Sequence, residues 1–142
     1  MPDLFTIGYE GSIVDNVVAT LREAGVAHLL DIRAVPQSRK PGFSKRLLGG
    51  TLEAAGIGYT HLKGLGTPKP GRDAVRHGDV GAMHRIFRAH MEEPDAQVDL
   101  ARAAEIAQKE PACLLCFERD HTNCHRQIVA EMLGGPVTHL VP

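Results

Sequence analysis

The sequence predicts a single three-layer α/β/α domain over residues 1–142, Rossmann-like, built on a mainly parallel five-stranded sheet. Three observations carry this expectation. Short apolar runs alternate with stretches of helical spacing along the chain, the second run is apolar enough to be covered on both faces, and no repeat of about 20–50 residues is present.

In chain order, Leu4-Phe5-Thr6-Ile7-Gly8 is a strand that stops at a glycine, and Ile13, Val14, Val17, Val18 and Leu21 follow at helical spacing. Gly25 ends that helix, and Val26 to Arg33 forms a long apolar run suited to a central strand. Ser44 to Ala55 has helical composition despite Gly49-Gly50, Gly56 closes it, and Ile57 to Leu62 is a third strand. Between Lys63 and Asp79 lie Gly64, Gly66, Gly71, Gly78, Pro68 and Pro70, too many breakers for any regular element. A long loop is expected there, suited to act as a lid. Met83, Ile86, Phe87 and Met91 mark an amphipathic helix, and Pro94-Asp95 opens another that runs to Lys109. Ala112 to Phe117 is the fourth strand, Ile128, Val129, Met132 and Leu133 lie on a last helix, and Val137 to Val141 is the fifth strand.

At 142 residues with 43% apolar content the chain can build one core, which excludes disordered and fibrous classes. No apolar run reaches the roughly 20 residues that span a bilayer, and Met1-Pro2-Asp3 lacks the basic start of a signal peptide. A cytoplasmic protein with no membrane partner is expected. Three cysteines between 113 and 124, an odd number, do not form a secreted disulfide framework, so reduced thiols are expected. The net charge of −1 conceals an uneven distribution, because residues 32–90 carry eleven bases against three acids and both flanks are acidic. A basic middle third suits a small anionic ligand, and the bland alternative is a solvated face balanced by its neighbours.

In parallel α/β sheets ligands bind beyond the carboxyl ends of the strands. Polar residues gather there: Tyr9-Glu10, Asp31 and Arg33, His61 and Lys63, then Cys116 and Glu118. Asp31 and Arg33 are two apart and share a side of an extended chain, which fits either a structural ion pair or a ligand contact. The densest stretch runs from Cys116 to Arg126. Asp120, Thr122 or Asn123 could cap the helix there, placing Cys124, His125 and Arg126 in its first turn, where amides and the dipole favour an anion or a thiolate. Cys124 is the first candidate for a reactive thiol, against a reading as a small buried residue, and Cys113 is read as core. Cys116, Cys124 and His125 are also metal-ligand types, with His121 or Glu118 available as a fourth, but the spacing is not a standard zinc pattern. Adjacent helical residues diverge by about a hundred degrees, so one ion would take both Cys124 and His125 only if that turn were irregular. No metal ligand is therefore assigned. Cys113 to Arg119 has the count of a phosphatase loop but no glycine and a strand-like interior, which rules it out. His28, His77, His84, His90 and His139 stand singly and are read as core-edge or surface residues.

Thr6-Ile7-Gly8-Tyr9, Asp31-Ile32-Arg33 with Pro36, Ser38-Arg39 and Phe43, Ile57-Gly58-Tyr59 with His61 and Leu65-Gly66, and Cys116 with Glu118 and Cys124-His125-Arg126 together resemble the family called domain of unknown function 488. The resemblance spans nearly the whole chain, with the last stretch its most specific part. It implies a compact α/β fold with these residues at one end, and settles little about activity. One departure is Gly8-Tyr9-Glu10, where such families commonly look like Gly-His-Ser.

The leading functional expectation is an enzyme or enzyme-derived domain binding a phosphate- or nucleotide-like anion. Cys116 or Cys124 would be the nucleophile and Glu118 the proton carrier, with Tyr9, Asp31, Arg33, Ser38, Arg39, His61, His125 and Arg126 around the ligand. Two alternatives stay open: a nucleic-acid-binding module using the Arg39-Lys40 to Lys45-Arg46 stretch and the bases of the Lys63 to Asp79 loop, and a Cys/His metal-binding domain. Cofactor and oligomeric state are left unassigned.

Overall fold

The two most apolar runs take the inner positions of the sheet. In the computed structural model, which describes residues 2–142, Leu4–Gly8 (β1) and Ala112–Cys116 (β4) are buried along their whole length. His28–Asp31 (β2) lies on the other side of β4, while Gly58–His61 (β3) and Val137–Leu140 (β5) form the partly exposed edges. All five strands are parallel, in the order β3-β2-β4-β1-β5. The expected single α/β domain with a five-stranded sheet is thus present, although β2 is flanked by β3 on the outer side and β4 holds the centre.

Successive strand side chains point to opposite faces, so each inner strand serves two cores. Phe5, Ile7, Leu29, Cys113 and Leu115 face Val14–Glu23 (α1) and Lys45–Ala54 (α2), through Val17, Leu21, Leu48 and Leu52. Leu4, Leu30 and Leu114 face the second core, to which Val80–His90 (α4), Pro94–Lys109 (α5) and Arg126–Leu133 (α6) contribute. From α5 that contribution is Ala96, Ala103 and Ala107, which permit close helix–sheet approach. Because α1 follows β1 to one face and α6 follows β4 to the other, the chain leaves two neighbouring strands in opposite directions. The carboxyl ends of β1 and β4 open there as a crevice.

The segment expected to be one long loop departs from expectation. A 3-10 turn at Lys63–Leu65 is followed by a helix, Lys69–Arg76 (α3). Its breakers occupy positions where they do no harm. Pro70 lies in the first turn, where no N–H is needed, and Gly78 has φ +79° just past the helix end. Gly71 is buried against Thr67, whose methyl a Cβ would meet at 2.5 Å. Asp79 then caps α4 by accepting from the Ala82 N–H at 2.9 Å.

Candidate functional site

Beyond β2 the main chain of Ile32 accepts from the His125 ring, and Arg33 folds back over the strand end. Its Nε donates to Asp31 Oδ1 at 2.9 Å and its Nη2 to Asp31 Oδ2 at 2.7 Å, while Nη1 donates to the Phe43 carbonyl (2.7 Å) and Tyr9 hydroxyl (3.1 Å). Four of the five N–H groups of Arg33 are therefore held by the protein. Asp31 accepts further from Tyr59 Oη at 2.6 Å. Burial first, and the Asp31 contact second, push the Tyr59 phenol well above its usual range. His61 lies 2.7 Å from the Arg33 carbonyl. It braces the strand end and does not line the cleft described below.

Beyond β4 the chain turns through Phe117 to Asp120, and a second buried arginine holds this turn. Arg126 donates to the carbonyls of Glu118 and, at 3.0 Å, Arg119, and to Thr6 Oγ1 at 3.1 Å. Its Nη1 also lies 3.1 Å from Cys116 Sγ. Burial lowers its affinity for its proton, which the Glu118 charge opposes. Glu118 in turn is pushed above the usual carboxylate range by burial, against the pull of Arg126. Its Oε2 is 3.5 Å from Cys116 Sγ. Gly8 is required at this junction, because a Cβ there would stand 1.8 Å from the Glu118 carbonyl oxygen.

The approach to α6 differs from expectation. Asp120 accepts from the Thr122 N–H at 2.9 Å and so caps a 3-10 turn, His121–Asn123. Cys124 is then extended (φ −126°, ψ 150°), and His125 occupies the cap position of α6. Cys124 and His125 therefore precede the helix, and only Arg126 lies in its first turn. This extended residue turns the Cys124 side chain onto the end of β4, where it is disulfide-bonded to Cys116. The expectation of three reduced thiols is corrected to a single free one, Cys113, buried in β4 with its thiol pushed up by burial.

His125 Nε2 is 2.7 Å from the Ile32 carbonyl, which only accepts, so this nitrogen carries the ring proton and Nδ1 presents a lone pair. That lone pair is 3.6 Å from Cys124 Sγ. Phe87 packs edge-on against the ring. Burial, with Arg126 nearby, brings the imidazole down to about 4.

A cleft of about 340 Å³ lies over these groups. Arg33, Arg39 and Arg72 line it together with Cys116, Glu118 and His125, and Tyr9 and Ser38 also reach it. Ser38 accepts from the Lys40 N–H at 3.1 Å, which shapes the loop that presents Arg39. A larger adjoining cavity of about 790 Å³ shares Arg72, Glu118 and His125 with it. Phe117 stands between the two, 45% exposed. Of the residues expected at a site, Asp31, His61, Cys124 and Arg126 lie behind this wall and the others line it.

Sequence reasoning counted Arg72 only among the bases of a supposed loop, and Thr6 only within the strand that carries the resemblance, and gave neither a place at this site. His139, which the sequence suggests is a core-edge or surface residue, has its Nδ1 2.6 Å from Thr6 Oγ1 and its ring stacked on His121 at 3.6 Å. A pairing of β1 with the last strand, which puts Thr6 opposite His139, was the signal that could have found it.

Among the described residues, no helix is long and apolar enough to cross a membrane. No curated protein and no solved structure matches the chain. A family model matches residues 13–133, which takes in every site residue from Asp31 to Arg126 and leaves Gly8 and Tyr9 outside. With most of its length matched, the chain belongs to the family described as Domain of unknown function DUF488.

Proposed function

We propose that this protein binds a phosphate- or nucleotide-like anion in the cleft at the carboxyl ends of its strands and acts on it through Cys116. The observation that carries the reading is the shared wall: Arg33, Arg39 and Arg72 line the same cleft as Cys116 and Glu118. Arg39 is exposed and Arg72, partly buried, spends one N–H on the Thr67 carbonyl at 2.8 Å, so both retain donors for a ligand. Arg33, its charge offset by Asp31, keeps one N–H for a ligand.

Chemistry requires the reduced chain, reached when two external thiols become a disulfide as the Cys116–Cys124 bond opens. Cys116 Sγ, with the Arg126 cation beside it, forms a bond to the electrophilic atom of the anion as that atom's bond to its leaving group breaks. Glu118 gives its proton to the leaving group, then takes one from the water that displaces the thiol.

Calorimetric titration of the disulfide form with pyrophosphate, ADP and adenosine tests the binding reading. ADP and pyrophosphate should bind and adenosine should not, and Arg39→Gln and Arg72→Gln should each weaken binding roughly tenfold or more. Equal binding of all three, or none at millimolar concentration, would overturn it. A polynucleotide whose binding falls steeply with salt, without any mononucleotide binding, would favour the Arg39-Lys40 and Lys45-Arg46 stretch as a nucleic-acid contact instead.

A further inference from the structure

The geometry points to a redox-gated site for a thiophilic divalent metal ion, zinc being the fitting class, formed by Cys116 Sγ, Cys124 Sγ and His125 Nδ1 once the disulfide is reduced. These three atoms lie within 4.8 Å of one another and all three residues are buried. The sequence objection, that neighbours on a helix diverge, does not apply, because Cys124 is extended and His125 is the cap residue.

Three further observations fit a metal centre. Cys124 Sγ and His125 Nδ1 are 3.6 Å apart, matching the separation of about 3.6 Å for sulfur and nitrogen on one tetrahedral zinc ion with bonds of about 2.3 and 2.1 Å. The far nitrogen of His125 is fixed on the Ile32 carbonyl, the outer contact that orients metal-bound imidazoles. The cysteine Cα atoms stand 7.3 Å apart, wider than the roughly 4.4–6.8 Å usual for a disulfide. Two thiolate ligands offset the charge of a divalent ion. Both Cys116 and His125 line the cleft, so the fourth coordination position faces it, within reach of Glu118 or of a bound anion.

Metal uptake releases two thiol protons to solvent, and oxidation to the disulfide removes both sulfur ligands. Metal and substrate therefore compete for Cys116, so the bound ion would silence the nucleophile of the proposed function. The inference does not depend on that function.

The test uses the full chain, reduced without oxygen by a phosphine, which becomes its oxide with the oxygen of water as two thiols form. Cobalt(II) is then titrated. One equivalent should give the strong visible bands of a tetrahedral ion with sulfur-to-cobalt charge transfer, zinc should bleach them, and the disulfide form should give none. Cys124→Ala should abolish the bands and Cys113→Ala should keep them. Should Cys124→Ala not fold, alkylation of the wild type read by peptide mass replaces it, with zinc expected to protect Cys116 and Cys124. Weak octahedral bands, uptake without charge transfer, uptake by the disulfide form, or no protection would overturn the site. Because anion binding is measured on the disulfide form, its failure and the failure of the metal site are read separately.

Discussion

Asp31 and Arg33 meet through two parallel hydrogen bonds, 2.9 and 2.7 Å long, with 0% and 6% of their side chains exposed. The arginine also reaches across to Tyr9 beyond β1 and to the Phe43 carbonyl, so this pair joins two strand ends to the loop before α2. Replacing one partner leaves the other charged and buried. Arg33→Met should therefore lower stability by about 3–5 kcal/mol in urea unfolding, more than Tyr9→Phe, which removes one hydroxyl. Equal losses would show that the pair is not what holds these elements.

Arg126 serves the opposite side of the cleft with no carboxylate in hydrogen-bond contact among the described residues, its N–H groups going to two carbonyls, a hydroxyl and a sulfur. Arg126→Lys keeps the charge but cannot reproduce that fork. It should cost about 2–3 kcal/mol and speed amide exchange in residues 117–125, read by hydrogen-exchange mass spectrometry.

Gly8→Ala should be among the most damaging small substitutions, because its Cβ would meet backbone atoms of Glu118 at 1.8 and 2.6 Å. A loss above about 3 kcal/mol is expected, since backbone must move. Gly11→Ala is the contrast. It meets no atom within 4 Å, and its φ of +78° makes backbone strain alone responsible, so the loss should be about 1–2 kcal/mol.

His125 sets a pH dependence in the metal-free disulfide form. Its folded value of about 4 lies below the ordinary 6.5, so between those limits the unfolded chain binds a proton that the folded chain refuses. Stability should be independent of this group above pH 6.5 and fall as pH drops from 6.5 toward 4, by about 3 kcal/mol in all. Urea midpoints across that range should show the slope, and His125→Gln should flatten it.

How far the sequence could be read depended on whether a local pattern in the chain reports the contact. The strands and most helices were legible because an apolar run or a 3.6-residue period is local, and α5 begins and ends where Pro94 and Lys109 suggest. The helix α3 was hidden because its prolines and glycines read as breakers until their places in the first turn, the core contact and the end were known. The strand-end rule brought out Arg33, Cys116 and Glu118, which line one cleft. It could not tell that Arg33 spends its donors inward, nor that Cys124 is extended and bonded to Cys116. Those partners are only 2 to 10 residues away, but which of them a side chain meets depends on how the chain turns after each strand, and no apolar run or helical period reports that.

The helix found in place of a lid changes how a ligand would arrive. Arg72 rides on α3, whose Ala74 and Val75 pack against the second core, so the anion proposed above would meet a packed helix and not an open loop. Entry then needs no closing step, and the rate of capture should follow ionic strength in a single kinetic phase, without the slow isomerisation that a moving gate imposes.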